Sequence, residues 1–146
     1  MPIINPPPPP GYRLIPVRTT YLEMKARPAA EPVAPPAGCA VERWLEPAPR
    51  AYRELFSAVG GAWGWSGRLI MEEGELAAMI RAGTTEIYRL RRRDETAGFA
   101  ELDRGRPREP EIAYFGLLPA FLGRGLGKFL LNWAIHRAWS VEAERV

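Results

Sequence analysis

The sequence predicts an α+β fold: a three-stranded antiparallel meander, with helical stretches before it and one long apolar helix after it. Three observations predict this. The segments "TEIYRLRR" (85–92), "TAGFAEL" (96–102) and "EIAYFGLL" (111–118) are rich in β-branched and aromatic residues and end at turn residues. Their connections are short, as antiparallel neighbours allow and parallel neighbours do not. After Pro119 the spacing turns helical, and Leu126, Phe129, Leu130, Trp133, Ala134, Ile135 and Trp139 make one wide apolar face between about residues 124 and 140.

The elements follow in chain order. Sixteen of the 146 residues are proline, and they crowd the first third in "NPPPPPGY", "ARPAAEPVAPPAG" and "EPAPRA". Such stretches favour extended polyproline backbone and make no core of their own. Residues 1–18 are therefore read as an arm and residues 19–146 as the folded domain, with a second Pro-rich connection at 28–38. "YLEMKA" (21–26) is a short strand candidate. "RAYRELFSAVG" places Tyr52, Leu55, Phe56 and Val59 at helical spacing, and Gly60-Gly61 stops the helix. "AWGWSGRLIM" reads as an aromatic-rich loop or broken helix, and "EGELAAMIRAG" as a short helix. In the last helix Arg124, Lys128, Asn132, His136 and Ser140 recur every four residues as a polar stripe. That stripe is expected to be a solvated face, with His136 on it.

The bulk numbers exclude several classes. Hydrophobic content is 47% and formal net charge is +3, with both signs interspersed. The basic run "RLRRRD" at 89–94 comes with no nucleic-acid recognition motif and reads as a solvated strand face. The single cysteine, Cys39, rules out an internal disulfide and a cysteine metal cluster, and its Pro-rich setting argues against a Cys–His nucleophile. The N-terminus lacks the pattern of a signal peptide, and no stretch reaches the ~18 apolar residues of a membrane span. The expectation is a cytoplasmic protein without metal, membrane or nucleic-acid partners, compatible with a homodimer.

The function is written in "YFGLLPAFLGRGLGKFLLNWAIHRAW" (114–139). Gly123, Gly125 and Gly127 alternate at the mouth of a helix, with Arg124 and Lys128 among and after them. Backbone N–H groups at a helix start have no helical partners and carry the positive end of the helix dipole. Glycines let an anion come close to them, and pyrophosphate is the usual guest. Two common phosphate motifs fail here. The Walker pattern would need glycine at Leu122 and a hydroxyl at Phe129, and the dinucleotide fingerprint would need glycine at Leu130.

The stretch "EIAYFGLLPAFLGRGLGKFLLNWAI" instead resembles the core of the GNAT superfamily, the acyl-CoA-dependent N-acyltransferases. Its signature is a strand, a Pro-containing turn and Arg/Gln-x-x-Gly-x-Gly/Ala opening a helix. Gly125 and Gly127 match; Leu122 departs from the usual Arg or Gln. The resemblance covers roughly residues 20–140 and implies a mixed sheet whose further strands would follow the last helix. The sequence is accordingly expected to lack a C-terminal piece of its domain, including the tyrosine that often protonates the leaving thiolate, and as it stands to turn over poorly.

The resemblance implies acetyl-CoA as co-substrate, transferred directly to a primary amine of a small molecule or peptide. The pantetheine arm would lie along Phe115, Gly116 and Leu117, with the Leu117 amide near the thioester carbonyl. The pyrophosphate would sit on Gly123, Arg124, Gly125, Leu126, Gly127 and Lys128. Glu111 would be the general base and Glu101 the second candidate; a solvated residue after the "RPREP" turn is the other reading of Glu111. Strict alternation puts Glu111 on one face with Ala113, Phe115 and Leu117. Trp63 and Trp65 would line the acceptor pocket, with core or lid packing as their other reading. Two further classes stay open: a CoA-binding module without turnover, and a protein-interaction domain whose glycines only permit tight packing.

Overall fold

The computed structural model describes residues 7–146, so the first residues of the Pro-rich arm lie outside the described part. The strands are β1 (Cys39–Arg43), β2 (Thr85–Arg92), β3 (Glu95–Asp103) and β4 (Glu111–Leu117), and the helices are α1 (Pro49–Gly60), α2 (Glu73–Arg81) and α3 (Leu126–Ala138). Single 3-10 turns occupy Gly61–Trp63 and Pro119–Phe121. The sheet runs in the order β1-β2-β3-β4, and every pairing is antiparallel. The predicted meander is β2-β3-β4.

Local chemistry accounts for the boundaries. Pro49 opens α1, where its missing N–H costs nothing. Glu72 and Glu75 cap α2 reciprocally: the Glu72 carboxylate accepts from the Gly74 N–H at 2.9 Å, and Glu75 reaches back to the Glu72 N–H. The predicted start of the last helix moves from 124 to Leu126, because Gly125 sits at φ 77°, outside helical backbone, and acts as the N-cap.

The sheet carries a core on each face. On one, Tyr88, Leu90, Ala100, Leu102 and Leu117 meet Leu126, Phe129, Leu130 and Ala134 of α3. On the other, Ile87 and Phe99 meet Tyr52, Phe56 and Val59 of α1 and Leu76 and Ile80 of α2. Phe56 and Phe99 are fully buried, and each such side chain contributes about 1.5–3 kcal/mol relative to exposure. None of the helices among the described residues is long and apolar enough to cross a membrane.

Three expectations are corrected. Residues 21–26 form no strand; the first strand is Cys39–Arg43, in line with β2 over its whole length, and Cys39 is buried there. The alternating side chains of "CAVER" can face a core on one side, whereas Tyr21 and Leu22 are exposed and the segment is tied only to the C-terminal residues, Met24 exchanging backbone hydrogen bonds with Val146 at 2.7 and 3.0 Å and Glu23 pairing with Arg145. Second, the α3 stripe is not simply solvated. The extended segment before β1 crosses it: Val33 N–H donates to Asn132 Oδ1 at 2.9 Å and Arg27 donates to the Trp139 carbonyl at 2.6 Å. His136 lies between those points, half-buried, with its Nε2 shielded and unpartnered among the described residues.

The third correction concerns β4. Glu101 pairs with Tyr114 but Leu102 pairs with Ile112, so Ala113 is an extra residue in the strand. This bulge resets the alternation. Ile112, Phe115 and Leu117 join the α3-side core, whereas Tyr114 joins the α1/α2-side core. Glu111, opposite Asp103, shares the face of Glu101 and Tyr114 rather than that of Phe115 and Leu117.

Candidate functional site

Most site residues predicted from the sequence fall at the end of β4, in the turn after it and on the sheet face beneath α1; Glu111 lies at the other end of β4 and Trp63 is exposed after α1. Leu118 N–H donates to the Ala97 carbonyl at 2.8 Å, which makes Leu118 and Ala97 a hydrogen-bonded pair. Antiparallel pairing alternates, so Gly116/Phe99 is the next bonded pair, while Leu117/Gly98 and Phe115/Ala100 are non-bonded. The N–H groups of Leu117 and Phe115 therefore point away from β3. β4 is the last strand of the sheet, so among the described residues these amides face an open edge. Gly116 faces inward and separates from the other two.

The glycine turn continues that edge. Gly123 and Gly125 have φ of 75° and 77°, a backbone region that strains side-chain-bearing residues. Space above both is open: a methyl group built on either meets nothing within 4 Å. No side chain caps α3, so the N–H groups of its first turn, through Gly127 and Lys128, are free of side-chain partners. Leu126 is buried and anchors the turn to the core, while Arg124 and Lys128 are exposed beside it. An uncapped helix start with open backbone, flanked by two cations, can accept an anion; beside it lie two outward amides that an extended ligand could bond as an added strand.

The two carboxylates occupy contrasting settings. Glu101 is buried, and its carboxylate accepts from Arg68 Nη2 at 2.5 Å and from the Tyr52 hydroxyl. Burial, with the Glu101 charge beside it, pushes the Tyr52 hydroxyl far above its usual range, so it stays protonated and donates. Burial alone would lower the Arg68 pKa, but its bond and charge attraction to Glu101 outweigh this and keep it charged. The Arg68 guanidinium also lies 5.1 Å from the Tyr114 ring centroid. Arg53 of α1 donates to the carbonyls of Arg68 and Met71, fixing the segment that carries this pair. Glu111 is exposed at the far end of β4. Six residues separate it from Leu117, roughly 20 Å along an extended strand.

The two tryptophans part company. Trp63 is 70% exposed. Trp65 is half-buried and packs against Phe56, Phe99 and Tyr114 with ring centroids 5.2–6.3 Å apart. It fits because Gly60 is bare, since a methyl there would come within 2.2 Å of the Trp65 ring; one on Gly116 would come within 2.6 Å of Val59 and 3.4 Å of that ring. The Tyr52–Glu101–Arg68 cluster escaped the sequence reading, because its members lie 49 and 33 residues apart and share no local pattern. Among the described residues no group of three or more His, Cys, Asp or Glu could hold a metal ion.

Solved structures similar to this chain are acetyltransferases. An aminoglycoside acetyltransferase, meta-AAC0020, from an uncultured soil metagenomic sample, in complex with sisomicin, matches over 73% of this chain and 74% of that one, with 12% identity and a TM-score of 0.57. The ribosomal-protein-S18-alanine N-acetyltransferase from Escherichia coli matches with 17% identity and a TM-score of 0.53, covering 68% of this chain and 59% of that one. A GNAT family acetyltransferase from Elizabethkingia anophelis with acetyl-CoA bound matches with 16% identity and a TM-score of 0.52, covering 71% and 60%. The present chain thus spans about three-fifths of the length of the last two. No curated protein matches it. At these identities the likeness concerns the fold; membership rests on the family model for the acetyltransferase (GNAT) family, which matches residues 37–146, and the chain belongs to that family.

Proposed function

We propose that this chain acts as a cytoplasmic N-acetyltransferase that moves an acetyl group from acetyl-CoA to a primary amine by direct attack within a ternary complex. The observation that carries the reading is the continuous open track formed by the outward amides of Phe115 and Leu117 and the uncapped turn from Gly123 to Lys128. Amides of the turn would bind the pyrophosphate, with Arg124 and Lys128 adding charge. The Leu117 N–H is the donor nearest in sequence to the turn that could stabilise negative charge building on the thioester carbonyl oxygen. The ammonium first gives one proton to a base; the neutral nitrogen then bonds to the acetyl carbon as the carbon–sulfur bond breaks, the sulfur leaves as the CoA thiolate, and the second nitrogen proton passes to that thiolate or to solvent.

Glu111 is the proposed acceptor of the ammonium proton, relayed through water because the strand separates it from Leu117 by roughly 20 Å; its carboxylate is free of ion pairs among the described residues and shares a sheet face with Tyr114. Glu101 is already committed to Arg68 and Tyr52, which supports a role in holding the wall of the site. The amine class follows the relatives, one named for aminoglycosides and one for a ribosomal-protein alanine. The test is CoA release from acetyl-CoA over a panel of small-molecule and peptide amines. Release that depends on an added amine supports the reading. Tight acetyl-CoA binding with no release from any amine would leave a CoA-binding module, and no binding at all would remove both.

A further inference from the structure

A second feature lies at the same end of the sheet. β2 and β3 reverse through Arg93 and Asp94, since Arg92 pairs with Glu95. The start of β3 runs beside the end of β4, where Gly98 pairs with Leu117, so this reversal sits next to the Pro119–Phe121 turn. Between them lies a concavity of about 350 Å³ lined by Arg92, Arg93, Glu95, Ala120, Phe121 and Arg124. Three arginines and one glutamate are among the residues that line it.

Their neighbours on β2 are spoken for. Arg89 and Arg91 both pair with Glu42, and Arg91 also donates to Thr96. Arg92, Arg93 and Arg124 make no ion pair or side-chain hydrogen bond among the described residues; Arg124 only lies over the buried Phe121 ring, 5.9 Å from its centroid. Arg93 is also held at φ 53°, where glycine or asparagine would sit with less strain. The positive φ belongs to the two-residue hairpin turn; what marks the place is that three arginines without ion pairs among the described residues line one concavity.

We propose that this concavity is an anion subsite for the phosphate monoester on the ribose of a CoA thioester, beside the pyrophosphate turn. The inference rests on the acetyl-CoA reading above and deepens it. Arg124 belongs to both places: it follows Gly123 in the turn and lines the concavity. A phosphate monoester carries up to two charges and three acceptor oxygens, which planar guanidinium groups bind in paired fashion. Glu95 is the one acidic residue in the lining and offsets part of its positive charge.

The experiment compares CoA with 3′-dephospho-CoA by calorimetric titration, on the unchanged chain and on an Arg92→Ala/Arg93→Asn double variant. The unchanged chain should bind CoA about tenfold tighter than dephospho-CoA, and added inorganic phosphate should weaken CoA binding more than dephospho-CoA binding. The double variant should lose that preference while keeping its dephospho-CoA affinity, and its melting temperature should hold or rise, because asparagine tolerates the Arg93 backbone. Equal affinities in the unchanged chain, or a preference that survives in the double variant, would overturn the subsite and leave acetyl-CoA binding intact. Failure of both ligands to bind would overturn the acetyl-CoA reading and the subsite with it.

Discussion

The two sides of β4 use glycine for opposite purposes. In the packed parts, Gly60 and Gly116 beneath α1 and Gly98 toward α3 are bare because other atoms fill the space: an added methyl would meet Trp65, Val59 or the Gly116 carbonyl within 2.2–2.6 Å. At the open end, Gly123 and Gly125 are bare with nothing within 4 Å. The packed glycines let rings and strands close on one another, and the open ones leave backbone uncovered. The same division holds for charge, since Glu101 is buried in a network with Arg68 and Tyr52 while Glu111, Arg124 and Lys128 are exposed. Substitutions on the packed side should therefore cost stability, and those at the open end should cost ligand binding or turnover.

The largest expected effect is at the exposed carboxylate of Glu111, at the opposite end of β4 from the glycine turn. Glu111→Gln should lower turnover ~10²–10⁴-fold, as loss of a general base does, with the melting temperature unchanged. The deficit should shrink as pH rises toward the amine pKa, ~10.4 if the acceptor is lysine-like, because more amine is then already neutral. Turnover against pH for both proteins decides it. A deficit independent of pH, or none near neutrality, would take Glu111 out of the mechanism and break the comparison between exposed and buried carboxylates.

On the packed side, Glu101→Ala should cost about 3 kcal/mol in denaturant unfolding, because Arg68 would lose its carboxylate while still largely buried. Acetyl-CoA affinity should change little at native temperature. If stability holds and only turnover falls, Glu101 works on substrate rather than on the wall.

Next comes Gly116→Ala, whose methyl would press on Val59 and Trp65. Overpacking of this kind costs about 1–3 kcal/mol. Since Gly116 faces β3 and not the open edge, the thermal stabilisation by acetyl-CoA should persist. A variant that keeps its stability but loses that response would move Gly116 to the ligand side.

Gly125→Ala should show the smallest intrinsic cost, about 1–2 kcal/mol, from forcing a side chain into left-handed backbone at φ 77°. Its effect on ligand should be disproportionate. An occupied site at a hundredfold excess over Kd adds ~2.7 kcal/mol to stability, and the variant should forfeit most of that shift. An undiminished shift would mean that the turn does not hold the pyrophosphate.

Legibility followed the range of the forces involved. The meander, α1, α2 and the glycine turn were readable because each is specified within its own residues. Alternation, helical spacing and turn chemistry act over a few positions, and the motif from Gly123 to Lys128 is contiguous. "YLEMKA" misled because strand propensity says only that a segment fits a half-buried surface, not that a partner strand is present. The partner of β2 proved to be "CAVER", which binary pattern alone could not rank above its Pro-rich surroundings.

By itself the sequence determined the order and kind of the main elements, the family, and the glycine-rich run whose backbone is left uncovered at the start of α3. Tertiary structure decided which side of the sheet each residue faces. The bulge at Ala113 moved Glu111 away from Phe115 and Leu117, and no local rule announces one extra residue in a strand. Packing separated Trp63 from Trp65, committed Glu101 to Arg68 and Tyr52, and laid residues 27–33 over the α3 stripe. It also gathered Arg92, Arg93 and Arg124 into one concavity. These outcomes depend on contacts between residues tens of positions apart, whose energies exist only once the chain has closed on itself.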